Sequence, residues 1–146
     1  MAAHMTAIGS STLVNCTPHP IHVYNVTDDG STKEIIETYA PSGIVPRLKQ
    51  TAQEQIDTIP ASLEGRVVPI YSAPQLGAVE GLPEFAEGEH KPIIVSLLVA
   101  QQLRDTKSWP CAVYAPDTGP AGVVRDDKGQ IIGTKWLIEY YNPLRA

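Results

Sequence analysis

The chain has 146 residues, enough for one domain with a single sizeable core, and its 42% hydrophobic and 18% charged residues are typical of a globular protein. Its formal net charge of -5, with 11 Lys and Arg against 16 Asp and Glu, argues against nucleic acid or an anionic membrane surface as the main partner, because both prefer a basic protein face. The apolar runs are too short to cross a bilayer, and two cysteines do not make a disulfide framework, so we expect a cytoplasmic location.

The N-terminal sequence MAAHMTAIGS contains neither the basic region nor the apolar stretch of a signal peptide. Its AHM tripeptide is typical of a cloning remnant, which predicts that the natural chain begins at Met5. Residues 1–10 are therefore expected to be disordered or tag-derived, and residues 11–146 are expected to form a single α+β domain.

The first half of the chain predicts short strands, because evenly spread prolines and glycines divide it into segments joined by turns. Residues 13–26 predict an extended strand that contains TPHP, with Ile21 and Val23 on one face. Residues 51–58 are ambiguous between a strand and a short helix. The Pro-, Gly- and Glu-rich segment 72–91 predicts a long surface loop, whose length indicates a functional cover. Further strands are predicted at 34–39, 44–49 and, as an edge strand, 66–71.

The second half predicts a strand, a helix and a second strand, at 92–95, 97–106 and 111–115. Ser96 is a good N-cap, and LLVAQQLRDT consists of good helix formers. The short connections imply a right-handed crossover between parallel strands. Residues 122–125 and 130–138 predict a hairpin around DDKG. The predicted fold class is α+β: a bent, mostly antiparallel sheet that could be barrel-like, with one principal helix in this crossover.

The tripeptide Asp117-Thr118-Gly119 is the one that aspartic proteases place at their catalytic turn. Too few residues follow it to build the rest of such a lobe, and prolines flank it on both sides, so we exclude that activity. Two alternatives stay open for Asp117: an Asx-type turn after a strand, or a functional carboxylate. Because parallel strands end on the same side of a sheet, Ser96 and the PDTGP loop are expected to face one crevice.

The sequence NCTPHP holds His19 between two prolines, which favour an extended backbone at the residues that precede them. A histidine held in this way suits general acid/base chemistry or ligand binding, since histidine changes charge near neutral pH. The alternative is an edge-strand histidine bonded to a backbone carbonyl. The spacing of Cys16, His19 and His22 does not predict a metal site, because strand residues three apart point to opposite faces. No metal and no cofactor are expected.

Arg125 stands in the hairpin strand directly after the PDTGP loop. A guanidinium there would bind an anionic group at the crevice, whereas the alternative is a structural ion pair with Asp126.

Four stretches, NCTPHPIHVY, PSGIVPRL, PIIVSLLVAQ and APDTGPAGVVRDDKGQIIG, resemble a family of small uncharacterised proteins associated with bacteriophages and actinobacteria, with occasional fungal members. The shared pattern is N-x-T-P-H, I-V-S-x-x-V-A and P-D-T-G-P…V-R-D-x-x-G-x-I-x-G. The resemblance brings no established activity and therefore implies no mechanism. It implies that seven residues lie in shared motifs: Asn15, Thr17, His19, Ser96, Asp117, Thr118 and Arg125.

The first hypothesis for function is binding of a small polar or anionic molecule in a crevice between the TPHP strand, the Ser96 helix N-terminus and the PDTGP loop. The second is a small metal-free acid/base enzyme, a hydrolase, lyase or isomerase, in which His19 carries the proton and Asp117 is its partner. The third is a structural or protein-interaction module. The predicted ligand-binding residues are Asn15, Thr17, Ser96, Thr118 and Arg125, and the predicted catalytic residues are His19 and Asp117.

Overall fold

The computed structural model describes residues 13–50, 52–85 and 88–145, and these form a mixed α+β structure made mostly of short strands. The prediction of a disordered or tag-derived N-terminus falls on residues outside this part of the chain. The described α-helix is α1 (Leu97–Thr106). The strands are β1 (Val14–Asn15), β2 (Ile21–Val26), β3 (Lys33–Tyr39), β4 (Arg47–Gln50), β5 (Gln55–Pro60), β6 (Val67–Tyr71), β7 (Leu76–Glu80), β8 (Ile93–Ile94), β9 (Val113–Pro116), β10 (Val123–Arg125), β11 (Ile131–Thr134) and β12 (Leu137–Tyr141).

The central sheet has the strand order β1-β8-β9-β12 and contains the most buried part of the chain. β8 pairs in parallel with β1 and β9, whereas β12 runs antiparallel to β9. Ile93 and Val95 are fully buried and pack in one cluster with Val99 and Leu103 of α1. β8, α1 and β9 follow one another in the chain, β8 and β9 are parallel neighbours, and the helix packs in the core cluster of this sheet.

The helix has the bounds predicted from its run of good helix formers. Ser96 occupies the N-cap position with an extended backbone (φ -65°, ψ 160°), but its side chain makes no capping hydrogen bond, which differs from the role predicted for its hydroxyl. At the other end Lys107 adopts a left-handed conformation (φ 53°), and its N–H donates to the Leu103 carbonyl at 2.8 Å. This closing turn stops the helix before the Ser-Trp-Pro sequence.

A second sheet has the strand order β10-β11-β2-β3. In β2 the predicted alternation is confirmed, since Ile21 and Val23 are buried and pack with Ile94 of the central sheet. The β10–β11 hairpin turns at DDKG as predicted, although the strand expected over 130–138 is two strands, β11 and β12, in different sheets. β11 pairs in parallel with β2 through Thr134 and Val23, which joins the C-terminal hairpin to the N-terminal segment.

Two further sheets have two strands each, β4–β7 and β5–β6. The prediction of a long surface loop over 72–91 is wrong where β7 forms, because β7 pairs with the distant β4. The ambiguous segment 51–58 contributes to strand β5. The four sheets do not close on one another, so the barrel-like alternative is also wrong, whereas most strand pairs are antiparallel as expected. Within the described ranges, no helix is long and apolar enough to cross a membrane.

Candidate functional site

The side chain of Asn15 shapes the backbone between β1 and β2. Asn15 is 2% exposed, and its Nδ2 donates to the carbonyl oxygens of His19 and Tyr39, each at 2.9 Å. Its Oδ1 accepts from the Thr17 backbone N–H at 2.9 Å and from Thr17 Oγ1 at 2.7 Å. The TPHP segment is therefore a bend pinned by one amide, and not part of the continuous strand predicted for residues 13–26.

The bend presents His19 at the surface. His19 is exposed, and its imidazole has no hydrogen-bond partner among the described residues. It lines a pocket of about 410 Å³, here called the His19 pocket. Three segments form its walls: the bend with the start of β2, the end of β9 with the residue beyond Asp117, and β11. The lining residues are Thr17, His19, Pro20, Ile21, His22, Pro116, Thr118, Ile131, Ile132, Gly133 and Thr134.

Most polar groups in the wall of the His19 pocket already have partners. Thr134 Oγ1 lies 2.8 Å from the carbonyl oxygens of both Asp117 and Trp136, and His22 Nδ1 lies 3.0 Å from Thr38 Oγ1. The Thr118 hydroxyl, like the His19 imidazole, has no partner in the described part of the chain. No carboxylate belongs to the described lining residues. The pocket therefore combines apolar walls with a few free hydrogen-bonding groups and no negative charge.

Asp117 does not line the His19 pocket, although its neighbours Pro116 and Thr118 do. Its Oδ1 accepts from the Gly119 N–H at 2.8 Å, and its Oδ2 accepts from Trp136 Nε1 at 2.8 Å. A Cβ added at Gly122 would lie 2.5 Å from Asp117 Oδ2, so the carboxylate packs directly over that glycine. The Gly119 contact matches the Asx-type turn that the sequence left open, and the Trp136 contact occupies the second carboxylate oxygen.

Replacing Asp117 by alanine is expected to lower the free energy of unfolding by about 1–2 kcal/mol, because two donors lose their acceptor. The unfolding free energy of Asp117→Asn is expected to lie between those of wild type and Asp117→Ala. Its amide oxygen accepts one hydrogen bond, but its NH₂ cannot accept from the Trp136 indole. Urea unfolding measures both. Asp127→Ala, at an exposed aspartate in the hairpin turn, is the control and should change stability by less than about 0.5 kcal/mol. Wild-type stability in Asp117→Ala would contradict the structural role.

Ser96 and Arg125 line pockets other than the His19 pocket. Ser96 lines a pocket of about 500 Å³ with Pro18 and Arg47, whereas Thr17 and His19 line the His19 pocket. Arg125 shares a third pocket with Thr118, and its Nη1 donates to the Gly129 carbonyl at 2.7 Å, within its own hairpin. The structure therefore brings Thr17, His19 and Thr118 together in one pocket and places Ser96 and Arg125 in two neighbouring ones.

The sequence interpretation missed His22 and the β11 wall, where Ile131, Ile132 and Gly133 line the pocket. Strand alternation places His22 on the face of β2 opposite the buried Ile21 and Val23, but it gives no sign that this face borders the pocket. The G-x-I-x-G end of the resembled motif contains Ile131 and Gly133, which was the available signal for β11.

Cys16, next to the bend, is a buried thiol. Burial raises the pKa of the Cys16 thiol, against a weaker opposing hydrogen bond with Ser42, and a raised pKa disfavours the thiolate that a nucleophile needs. Across the described residues, no group of three or more His, Cys, Asp or Glu side chains could hold a metal ion.

No family model, curated protein or solved structure matches this chain.

Proposed function

We propose that this protein binds a small molecule in the His19 pocket, with an anionic or hydrogen-bond-accepting group at His19 and Thr118 and an apolar body against β11. The observation that carries the proposal is the exposed imidazole of His19, which has no partner among the described residues and stands on a fixed bend at the edge of a mostly apolar pocket. Binding sites for small molecules have this composition: mostly apolar walls and a few polar groups that orient the ligand. A volume of about 410 Å³ suits a metabolite-sized ligand.

The bend supports binding because it fixes His19 before a ligand arrives. Asn15 holds the His19 carbonyl oxygen at 2.9 Å, and prolines on both sides of His19 restrict the backbone. A group that is already ordered loses little conformational entropy on binding, so more of the interaction energy contributes to affinity.

The composition of the lining favours an acidic ligand group. Two histidines line the pocket and no carboxylate does among its described residues, so a ligand carboxylate or phosphate would meet donors without a repelling charge. The remaining walls, Ile21, Ile131 and Ile132 among them, favour an apolar portion next to that group.

Binding is better supported than catalysis. Both oxygens of the Asp117 carboxylate accept hydrogen bonds from its own loop and from Trp136, so an acid/base reaction would depend on His19 without the partner carboxylate.

A reducing compartment such as the cytoplasm suits the two cysteines, Cys16 and Cys111, which are both free thiols.

The direct test is native mass spectrometry of the purified protein after incubation with a cell metabolite extract. We expect wild-type protein to retain an acidic metabolite, and His19→Ala to bind it at least about tenfold more weakly, because the ligand's acceptor loses its donor. The stability of His19→Ala should stay within about 0.5 kcal/mol of wild type, since the exposed ring has no structural partner.

The control is His90→Ala, outside the His19 pocket. The His90 ring packs edge-on against Trp109, with ring centroids 5.3 Å apart, so this variant should lose some stability and keep the metabolite. Equal retention by both variants would contradict the proposal. Conversion of the metabolite by wild type, and not by His19→Ala, would indicate an enzyme that uses the same pocket.

A further inference from the structure

Arg125 lines a pocket that adjoins the His19 pocket. This pocket, here called the Arg125 pocket, has a volume of about 410 Å³ and is also lined by Thr118, Pro120 and Val123. Thr118 lines both pockets, and its hydroxyl has no partner in the described part of the chain. A ligand bound at Thr118 in the His19 pocket therefore borders the Arg125 pocket as well.

The pairing of β10 with β11 places the two pockets side by side. Val123 pairs with Thr134. Arg125 pairs with Ile131, beyond a bulge in the ladder. In each pair the β10 residue lines the Arg125 pocket and the β11 residue lines the His19 pocket. Because side chains of directly opposite residues lie on the same face, with Cβ atoms about 5 Å apart, no further strand separates the two pockets.

The Arg125 guanidinium is available to an acidic group. Its Nη1 donates to the Gly129 carbonyl oxygen at 2.7 Å, and its other nitrogens have no partner among the described residues. The ion pair with Asp126 that the sequence left open is not formed. Instead, Asp126 Oδ1 accepts from the backbone N–H groups of Lys128 and Gln130, each at 2.9 Å, and so closes the hairpin turn.

The surroundings of Arg125 also favour an anion. Lys33 Nζ donates to the Arg125 carbonyl oxygen at 2.7 Å, and neither residue forms an ion pair with a carboxylate in the described ranges. No carboxylate belongs to the described lining of either pocket. Two neighbouring cations without an acidic partner attract an anion more strongly than either cation alone.

We propose that Arg125 binds a second acidic group of the ligand, so that the ligand carries an acidic group at each end of its apolar portion. This inference rests on the proposed function, because the first acidic group is the one at His19. A guanidinium suits the second group, since its planar set of donors can bind both oxygens of a carboxylate. Ile131 is 54% exposed and lies opposite Arg125 at the boundary of the two pockets, where the apolar portion can pack on it.

The test compares α,ω-dicarboxylates from glutarate to sebacate with monocarboxylates of the same carbon number, by NMR titration of the labelled protein at constant ionic strength. With wild-type protein we expect dicarboxylates within one range of chain lengths to bind at least about fivefold more tightly than their monocarboxylate counterparts, because Arg125 binds the added group. Equal affinities at every chain length, with shifts at His19, overturn this proposal and leave the proposed function standing. Absence of binding by every acid also overturns it, and metabolite retention then decides the proposed function separately.

Three variants locate the second acidic group. Arg125→Gln should reduce the affinity for dicarboxylates to that for monocarboxylates, whereas Arg125→Lys should keep part of the preference because the ammonium retains the charge. Arg66→Gln is the control, since Arg66 is exposed and lines neither pocket, and it should keep the wild-type preference. A dicarboxylate preference that survives Arg125→Gln overturns the proposal. The wild-type comparison needs no variant, so it decides the question even if Arg125→Gln does not fold.

Discussion

Replacing Asn15 by alanine is expected to lower the free energy of unfolding by about 2–4 kcal/mol, among the largest effects of any single substitution in this chain. Asn15 is 2% exposed, and its carboxamide makes four hydrogen bonds that tie together Thr17, His19 and Tyr39. Alanine removes all four hydrogen bonds at the boundary of the core, although the His19 carbonyl oxygen keeps the Thr17 hydroxyl as a donor at 3.0 Å. Urea unfolding with a wild-type slope would show that the loss lies in stability and not in a changed denatured state.

Two further variants separate the amide from the volume of the side chain. Asn15→Asp keeps the acceptor for Thr17 but loses both donors and places a carboxylate against two carbonyl oxygens, so it should be at least as damaging as alanine. Asn25→Ala, at an exposed position of β2, is the control and should stay within about 0.5 kcal/mol of wild type. A tolerated Asn15→Ala would mean that the bend does not depend on this amide.

Sequence patterns over a few neighbouring residues predicted the elements that depend mainly on those residues. The helix could be placed to the residue because LLVAQQLRDT combines good helix formers with a buried strand before it and a Ser-Trp-Pro stop after it. The buried face of β2 was predicted from the alternation of its residues between the two faces of a strand. β7 could not be predicted in this way, since LGAVE contains a glycine, lies in a Pro- and Gly-rich segment and becomes a strand only by pairing with the distant β4.

The candidate site could be predicted only in part, because some of its contacts join residues that are far apart in the chain. The TPHP and PDTGP segments do meet at one pocket, as their motifs indicated, and His19 lies in its wall. Ser96 does not share this pocket: it lines a separate pocket with Pro18, whereas Thr17 and His19 line the His19 pocket, so residues of the bend contribute to both. The bend itself depends on the bond between Asn15 and the Tyr39 carbonyl, a contact across 24 positions that no local pattern contains.

Replacing Gly133 by alanine is expected to lower the free energy of unfolding by about 2–3 kcal/mol, because β11 and β2 lie too close for a side chain. A Cβ at this position would overlap the His22 carbonyl oxygen and would lie 2.6 Å from Tyr24 Cε1. The Tyr24 ring could turn aside, but the carbonyl belongs to the backbone of β2. The two strands would therefore have to separate at the point where Thr134 pairs with Val23.

The same separation would change the His19 pocket, since Gly133 and His22 both line it. Gly133→Ala should therefore weaken metabolite retention as well as stability, whereas His19→Ala should weaken retention alone. Gly77→Ala is the matched control in a paired strand: its added Cβ would lie 3.3 Å from the Lys49 carbonyl oxygen, a contact that a small shift relieves, so the stability change should stay below about 1 kcal/mol. Equal changes in unfolding free energy for Gly133→Ala and Gly77→Ala would contradict the view that the close contact of β11 with β2 holds this wall of the pocket in place.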